Sequence, residues 1–380
     1  MDYFSQRRQS LVKSLKRGSM DGILVTNPAN VRYLTGFTGD SSYLAVGPKN
    51  IVLISDARFG QQIAEEVKDV EVVVRPHTQK LPEATAEVLT KLGTKSVGLE
   101  SAHATLALQL ALEKLAPKVT FVGHPDAVEV LRAIKDPSEV MQIRAAVKVA
   151  ERAFVMFCSM IQGTDSEKGM ADALEAYVRR AGGNGTAFPP IVAVGDRGAL
   201  PHAPPTARTL AEGSKLLVDW GADLGYKSDL TRTVKSPFGP VPTRRNKAER
   251  ANFNFDELYP VVVQAQAEAV KLLRDGVAAR DVDAAARKVF AAAKLRDHPG
   301  FELEEHFTHG LGHGIGLDVH EAPSIRANSD DVLQSGMVVT IEPGVYLPEW
   351  GGIRVEDNYL ITRDGAIRLS SLPHDPRAIG

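Results

Sequence analysis

The stretch LLVDWGADLGYKSD, residues 216–229, carries the apolar run Leu216-Leu217-Val218 into Asp219, turns through Gly221 and Gly225, and reaches Asp229. The stretch VVTIEPGVYLPEWGGIRVE, residues 338–356, repeats the plan. Val338-Val339-Thr340-Ile341 runs into Glu342, and a turn with Gly351 and Gly352 leads to Glu356. Short apolar runs bounded by turn residues read as buried strands. A helical pattern precedes each of them. Gly163 opens one with Ala171, Ala173 and Tyr177; Gly276 opens the other with Ala284, Ala286 and Phe290, each 113 positions after its counterpart. Both halves therefore read helix, strand, carboxylate, turn, carboxylate. A duplicated unit facing its copy across a pseudo-twofold axis brings Asp219, Asp229, Glu342 and Glu356 to one point.

Taken singly, each of these carboxylates reads as a turn residue or surface charge. Taken as a set, with Asp219 and Glu342 each ending an apolar strand, they read as a site. Four converging carboxylates repel strongly at low dielectric. They coexist by protonating or by binding cations. Oxygen ligands with an imidazole suit Mn, Co, Fe or Zn. Two such ions held ~3.5–4 Å apart form a hydrolytic centre. Histidines are close at hand: His306, His309, His313 and His320 are four of the chain's ten. The segment from His309 to Gly316 alternates His with Gly, which permits close backbone approach. It lacks the helical His-Glu-x-x-His pattern of zinc proteases. His306 reads as structural or exposed, and so do His77, His103, His124, His298 and His374, which have no such context.

Outward from this region, the first third reads as α/β. Strands are expected at 23–26, 70–74 and 96–99, and a hairpin at 43–54 around Gly47-Pro48-Lys49-Asn50. Helical patterns span Leu81 to Leu92 and Leu106 to Leu115. Pro137, next to Asp136 and Ser138, marks a helix start. The pattern breaks near 125–135, which gives a mixed α/β domain over 1–127 and a second domain over 128–380. With 45 basic and 47 acidic residues the formal charge is -2, so no global pull on nucleic acid or anionic membrane is expected. Arg7-Arg8 and Arg244-Arg245 read as solvated faces. The one cysteine, Cys158, excludes an intramolecular disulfide and a cysteine-built zinc site. Its apolar neighbours make it a buried thiol. The first residues lack the apolar core of a signal peptide, and no run approaches the ~18 apolar residues of a membrane span. The expected location is the cytoplasm.

These residues resemble the pita-bread metallopeptidases, which include aminopeptidase P, prolidase (Xaa-Pro dipeptidase) and methionine aminopeptidase. Val218 to Ala222 with Ser228 to Thr233 resembles their two-Asp motif. His309 to Glu321 resembles their histidine motif. Ile341 to Tyr346 and Gly352 to Asp357 resemble their two glutamate motifs. The N-terminal third, with Val31-Arg32-Tyr33-Leu34-Thr35-Gly36-Phe37, resembles the first domain of creatinase and of the proline-directed members. The resemblance implies an N-terminal creatinase-like α/β domain followed by a pita-bread catalytic domain. It implies two divalent metal ions, Mn first and then Co, Zn or Fe, held by Asp219, Asp229, His313, Glu342 and Glu356. Asp229 and Glu356 would bridge them. His202, His309 and His320 match three further histidines, implied to place the substrate and stabilise an oxyanion. Arg354 matches an arginine whose fork either holds a substrate carboxylate or pairs with a ligand carboxylate. Tyr346 is a further pocket candidate. Asp219 and Asp229 lie ten residues apart where relatives usually have eleven. A deletion at the turn's tip keeps both carboxylates facing the site, whereas a register slip turns one away.

The implied activity is hydrolysis of the peptide bond before proline, with Glu342 also moving the proton. The implied partners are a peptide with proline in second position and a second copy of the chain. Methionine aminopeptidase shares the ligands, but the N-terminal domain and His202 favour the proline-directed branch. Creatinase works on the same fold without metal, and a non-catalytic binding protein on this scaffold typically loses ligands. The full ligand set argues against both.

Overall fold

The computed structural model describes residues 2–15, 20–239, 253–375 and 377. The Arg244-Arg245 run lies outside them. The chain divides into two compact units, Met1–Arg132 and Ala133–Gly380. Among the described residues no helix is long and apolar enough to cross a membrane.

The first unit contains α1 (Tyr3–Leu15), β1 (Gly22–Val25), α2 (Pro28–Thr35), β2 (Tyr43–Val46), β3 (Ile51–Asp56), α3 (Gly60–Glu66), β4 (Glu71–Arg75), α4 (Leu81–Leu92), β5 (Ser96–Glu100), α5 (Leu106–Leu115), β6 (Thr120–His124) and the short α6 (Glu129–Arg132). Its six strands form one mixed sheet in the order β4-β3-β2-β1-β5-β6. The expected hairpin is β2 and β3, paired from Tyr43 with Ile54 to Val46 with Ile51. The apolar faces of α4 and α5 cover the sheet through Ala84, Val88, Leu89, Leu108 and Leu112. Full burial of one such leucine contributes ~2 kcal/mol.

Asn27-Pro28, which follows β1, starts α2: the Asn27 side-chain oxygen accepts from Ala29 N at 3.0 Å and Pro28 takes the first helical position. One local reading needs correction here. Arg7 and Arg8 are buried, not solvated. Their guanidinium groups donate to the Tyr33 and Leu34 carbonyls, both at 2.9 Å, at the end of α2, where backbone carbonyls lack helical partners. The first compact unit ends at Arg132, inside the 125–135 break in the sequence pattern, and α6 is tied to α2 within it. Arg132 Nη1 donates to Asn30 Oδ1 at 2.7 Å, and Asn30 Nδ2 donates to Glu129 Oε1 at 2.6 Å.

The second unit runs α7 (Pro137–Met160), α8 (Glu167–Arg180), β7 (Gly185–Thr186), β8 (Ile191–Val194), β9 (Lys215–Trp220), β10 (Ala222–Asp223), β11 (Leu230–Lys235), α9 (Phe255–Val270), α10 (Ala279–Ala292), β12 (Gly312–Gly314), β13 (Glu321–Ile325), β14 (Val338–Ile341), β15 (Gly344–Leu347), β16 (Gly351–Arg354), β17 (Asp357–Ile361) and β18 (Ala366–Arg368). Helix α7 starts where Pro137 predicts. Asp136 Oδ1 accepts from Ser138 N and Glu139 N, and Glu139 Oε2 accepts from Asp136 N. Such a reciprocal cap stabilises a helix by ~1 kcal/mol.

The internal repeat is visible in three dimensions. One half places β8, β9 and β11 in an antiparallel sheet, with α7 and α8 packed against it. Trp220 stacks on Phe154 with ring centroids 4.3 Å apart, and its indole N–H donates to Ala150 O at 3.0 Å. The other half places β12, β14 and β17 in a larger sheet, with α9 and α10 packed against it through Val262, Val282 and Phe290. The halves meet at one seam. Thr231 of β11 bridges to Glu356, whose backbone N–H donates to Thr231 O at 3.1 Å. Asp229 sits just before β11, and Glu356 just before β17.

Candidate metal centre

Strand pairing decides where the carboxylates point. Asp219, opposite Thr231 in the β9–β11 ladder, is 8% exposed; Asp229 is 5% and Glu356 1% exposed. The ladder runs unbroken from Leu230 with Trp220 to Lys235 with Lys215, so the short spacing between the aspartates is absorbed in the turn. Gly221 makes that possible: a Cβ there would collide with the Ser228 carbonyl. Asp219 and Asp229 both line one cavity of about 650 Å³. His313 lies at the centre of β12, and Glu342 directly follows β14. A Cβ on Gly312 would collide with the Thr340 carbonyl of β14, which explains the alternation of His with Gly.

Asp229, His313 and Glu356 each offer a ligand atom within 4.8 Å of the others. The Glu342 carboxylate lies 3.4 Å from His313 Nε2, and that of Asp229 lies 3.7 Å from it. His313 Nδ1 is 3.0 Å from the Gly314 carbonyl, which only accepts, so the proton sits on Nδ1 and the Nε2 lone pair faces the carboxylates. Burial, reinforced by His320, pushes His313 down to about 4, so it is neutral. One oxygen each of Asp219, Asp229 and Glu356 is buried with no hydrogen-bond partner. Burial raises the Asp229 and Glu356 carboxyls well above the usual range, and the neighbouring carboxylates add to it. Burial also pushes Glu342 up to about 8. Orphaned carboxylate oxygens, a free imidazole lone pair and mutual repulsion are the features that a divalent cation resolves. The donor set fits one.

Protons and metal therefore compete for the same oxygens. A carboxyl raised in the folded state contributes stability fully present below its unfolded pKa and lost as pH rises through its folded pKa. Metal-free protein is expected to melt at progressively lower temperature from about 4.5 up to about 8, the span set by Glu342. Thermal melting of chelator-treated protein checks this; a midpoint that rises over the range would contradict it. Asp357 behaves oppositely. Burial raises it, but Arg232, His374 and Arg368 outweigh burial and hold it well below the usual range. Its contribution is lost only in strong acid.

The other expected site residues are placed as follows. Arg354, 2% exposed, donates to Asp219 Oδ2 at 2.6 Å, to the Tyr346 hydroxyl at 2.7 Å and to Thr231 Oγ1 at 3.1 Å. Of the two roles open for it, pairing with Asp219 is the one occupied. Burial works against its charge, but Tyr346, Asp219 and Glu342 raise its pKa well above normal. Tyr346 in turn lies 2.7 Å from His309 Nε2. His309 Nδ1 faces its neighbour's carbonyl, Gly310 O, at 2.7 Å, so Nε2 accepts from the Tyr346 hydroxyl. Burial and Arg354 hold His309 at about 4. An unbroken chain thus runs from His309 through Tyr346 and Arg354 to Asp219. His320 packs edge-on against His313, centroids 4.3 Å apart, and His202 is exposed on the cavity wall.

Several contributors were missed in the sequence. Thr231 donates to Glu356 Oε2 at 2.7 Å. Arg326 lines the cavity, and five prolines, Pro189, Pro190, Pro201, Pro204 and Pro205, stiffen its wall. The Pro-rich spacing around His202 was the available signal for that wall. Cys158 lies apart from the cavity and is half-buried rather than buried, packed against the core of the first half, where burial pushes its thiol up to about 12.

Two similar halves joined at a buried cluster of carboxylates and one neutral histidine define a metal-dependent hydrolase scaffold. Residues 141–363 match metallopeptidase family M24, and residues 7–134 match the creatinase/prolidase N-terminal domain. The chain belongs to metallopeptidase family M24, in the branch of the Xaa-Pro dipeptidases and aminopeptidase P. It is 30% identical to an Xaa-Pro dipeptidase of Pyrococcus horikoshii over 97% of this chain and 98% of that one. The solved structure of an Xaa-Pro dipeptidase from Bacillus anthracis matches with a TM-score of 0.88 at 31% identity, covering 98% of this chain and 99% of that one. An X-Pro aminopeptidase from Thermotoga maritima matches with a TM-score of 0.82 at 30% identity, covering 95% and 98%. The chain is thus a metallo-exopeptidase of pita-bread fold, and its class works with divalent metal ions.

Proposed function

We propose that this protein hydrolyses the peptide bond before proline, with two divalent ions held by Asp219, Asp229, His313, Glu342 and Glu356. The observation that carries the reading is the set of orphaned oxygens on Asp219, Asp229 and Glu356 around the free lone pair of His313. Asp229 and Glu356 would bridge; His313 and Glu342 would complete one site and Asp219 the other. When bound, such ions supply Lewis acidity, lowering the pKa of water and polarising a carbonyl. The chain's own groups do the rest. Glu342 takes the proton of the attacking water and delivers it to the leaving proline nitrogen. His202 and His320 face the cavity as polar groups for the substrate carbonyl. His309 holds Tyr346, and through it Arg354 and Asp219, in one orientation. The proline-lined wall keeps its shape without side-chain ordering cost. Manganese and a homodimeric state belong to this reading on the family resemblance alone, and a cytoplasmic location on the sequence expectation alone.

Arg326 favours a dipeptide as the preferred substrate. Arg354 is committed to Asp219, whereas Arg326, exposed and among the residues that line the cavity, has no side-chain ion pair or hydrogen bond among the described residues. It would hold the free carboxylate of an Xaa-Pro dipeptide. Arg326→Gln is expected to raise KM for Xaa-Pro by roughly tenfold or more and leave KM for the C-terminally amidated dipeptide unchanged. An equal change for both substrates contradicts this assignment. The wider reading is tested by feeding Mn-loaded protein an Xaa-Pro dipeptide and an Xaa-Pro-Yaa tripeptide. Faster release of Xaa from the dipeptide is expected. Preference for the tripeptide gives an aminopeptidase, and cleavage of neither sinks the proline-directed reading.

A further inference from the structure

We infer that three acid–base pairs built on buried carboxylates, Glu167–Arg197, Asp283–Arg287 and Glu321–Lys135, are positioning residues, each fixing the segment that carries one of the cavity's non-ligand histidines. The inference rests on the proposed reaction for its consequence, but its geometry is independent of it.

The first pair closes a loop. Glu167, in the first turn of α8, is fully buried. Its carboxylate accepts from Val194 N at 2.8 Å and from Thr206 N at 2.9 Å, so one side chain ties both ends of the loop carrying His202. Arg197 donates to the same carboxylate at 2.8 Å and, through Nη2, to Pro204 O at 2.6 Å inside the loop. The second pair repeats the device on α10, the helix that corresponds to α8 in the other half. Asp283, also fully buried, accepts from Leu311 N at 3.1 Å and from Arg287 Nε at 2.7 Å. Arg287 donates to Phe307 O at 3.2 Å and to His309 O at 2.9 Å. Its guanidinium lies 4.5 Å from the Phe307 ring centroid, and that ring meets the His309 ring edge-on at 5.0 Å. The third pair flanks His320. Lys135 Nζ and Glu321 Oε2 are 2.9 Å apart with side chains 1% and 7% exposed, and Glu321 Oε1 accepts from Asp318 N at 3.0 Å.

Stability alone is a weak reason for this arrangement. Desolvating an ion pair costs several kcal/mol, and apolar replacements of equal volume often do as well. Here each pair spends its donors and acceptors on the backbone of a histidine-bearing segment. Forked, charge-assisted bonds to backbone fix a segment in direction as well as distance. Misplacement of a substrate-facing group by about 1 Å costs on the order of a hundredfold in rate.

The test neutralises a pair without orphaning a charge: Asp283→Asn with Arg287→Gln, and separately Glu167→Gln with Arg197→Gln. Each is made in the unaltered chain and with His309→Ala or His202→Ala. A positioning role is expected to lower kcat by roughly 10- to 100-fold at little-changed KM and bound-metal content. With the matching histidine removed, the same change is expected to cost less than about threefold. Equal losses in both backgrounds, or unchanged kcat with only a lower melting temperature, overturn the inference. If a neutralised pair does not fold, Arg287→Lys gives the same comparison, because it keeps the charge but not the fork. A readout independent of turnover is the NMR signal of the His309 ring. It is expected to shift and broaden on changing Asp283 and Arg287 and to stay unchanged on changing Glu167 and Arg197. Absence of Xaa-Pro cleavage by the unaltered protein would count against the proposed reaction, while the ring signal still decides the clamp.

Discussion

Asp229→Asn is expected to abolish divalent-metal loading and to lower kcat/KM for an Xaa-Pro substrate by at least roughly a thousandfold, or ~4 kcal/mol of barrier. Asp229 lies at the seam of the two halves, with a ligand atom within 4.8 Å of those of His313 and Glu356. One of its oxygens has no partner. An amide offers one carbonyl oxygen and an N–H₂ group that cannot ligate, so it cannot serve two ions. The backbone should survive, because Asn358 Nδ2 donates to Asp229 O at 2.8 Å and its Oδ1 accepts from Asp229 N at 3.3 Å, neither involving the carboxylate. Bound-metal analysis beside turnover checks the expectation. Full activity with two ions still bound would rule out Asp229 as a bridge.

Arg354→Met is expected to be the most destabilising single change at the site. Arg354 is the cation that lowers Asp229, Glu342 and Glu356 toward their charged forms, against the burial that dominates each. Its removal leaves Asp219 Oδ2 and Tyr346 without their donors at 2.6 and 2.7 Å. Breaking a buried pair from one side costs ~3–5 kcal/mol. At roughly 2–4 °C per kcal/mol for a unit of this size, the melting temperature of metal-free protein should fall by ~10 °C. Added divalent metal should restore part of the loss, because an ion that binds only the folded state stabilises it. A fall of less than about 2 °C would show that the carboxylates are held neutral without the arginine.

The carboxylate cluster was legible in the sequence because each member ends or precedes an apolar strand, and that pattern is local. The duplicated plan was legible for the same reason, as were α4, α5 and the capped start of α7. What the sequence hid depends on partners far along the chain. Arg7 and Arg8 read as solvated charges because their acceptors, the carbonyls at the end of α2, lie 26 residues away. The choice between two roles for Arg354 stayed open because Asp219 is 135 residues distant. His374 had no local context either, yet its Nε2 lies 2.7 Å from Asp357, next to Glu356. Glu167, in the first turn of α8, and Asp283, in the second turn of α10, have no local sequence signal. Only the fold reveals that their carboxylates accept from the backbone of the segments that carry His202 and His309.

The most direct measurement titrates metal-stripped protein with Mn²⁺ while following release of Xaa from an Xaa-Pro dipeptide and from the same dipeptide with alanine in place of proline. The expected result is no cleavage without metal, a rise that levels off at two ions per chain, and preference for the proline substrate. Two bound ions with no cleavage of Xaa-Pro, or cleavage undiminished after stripping, would contradict the account.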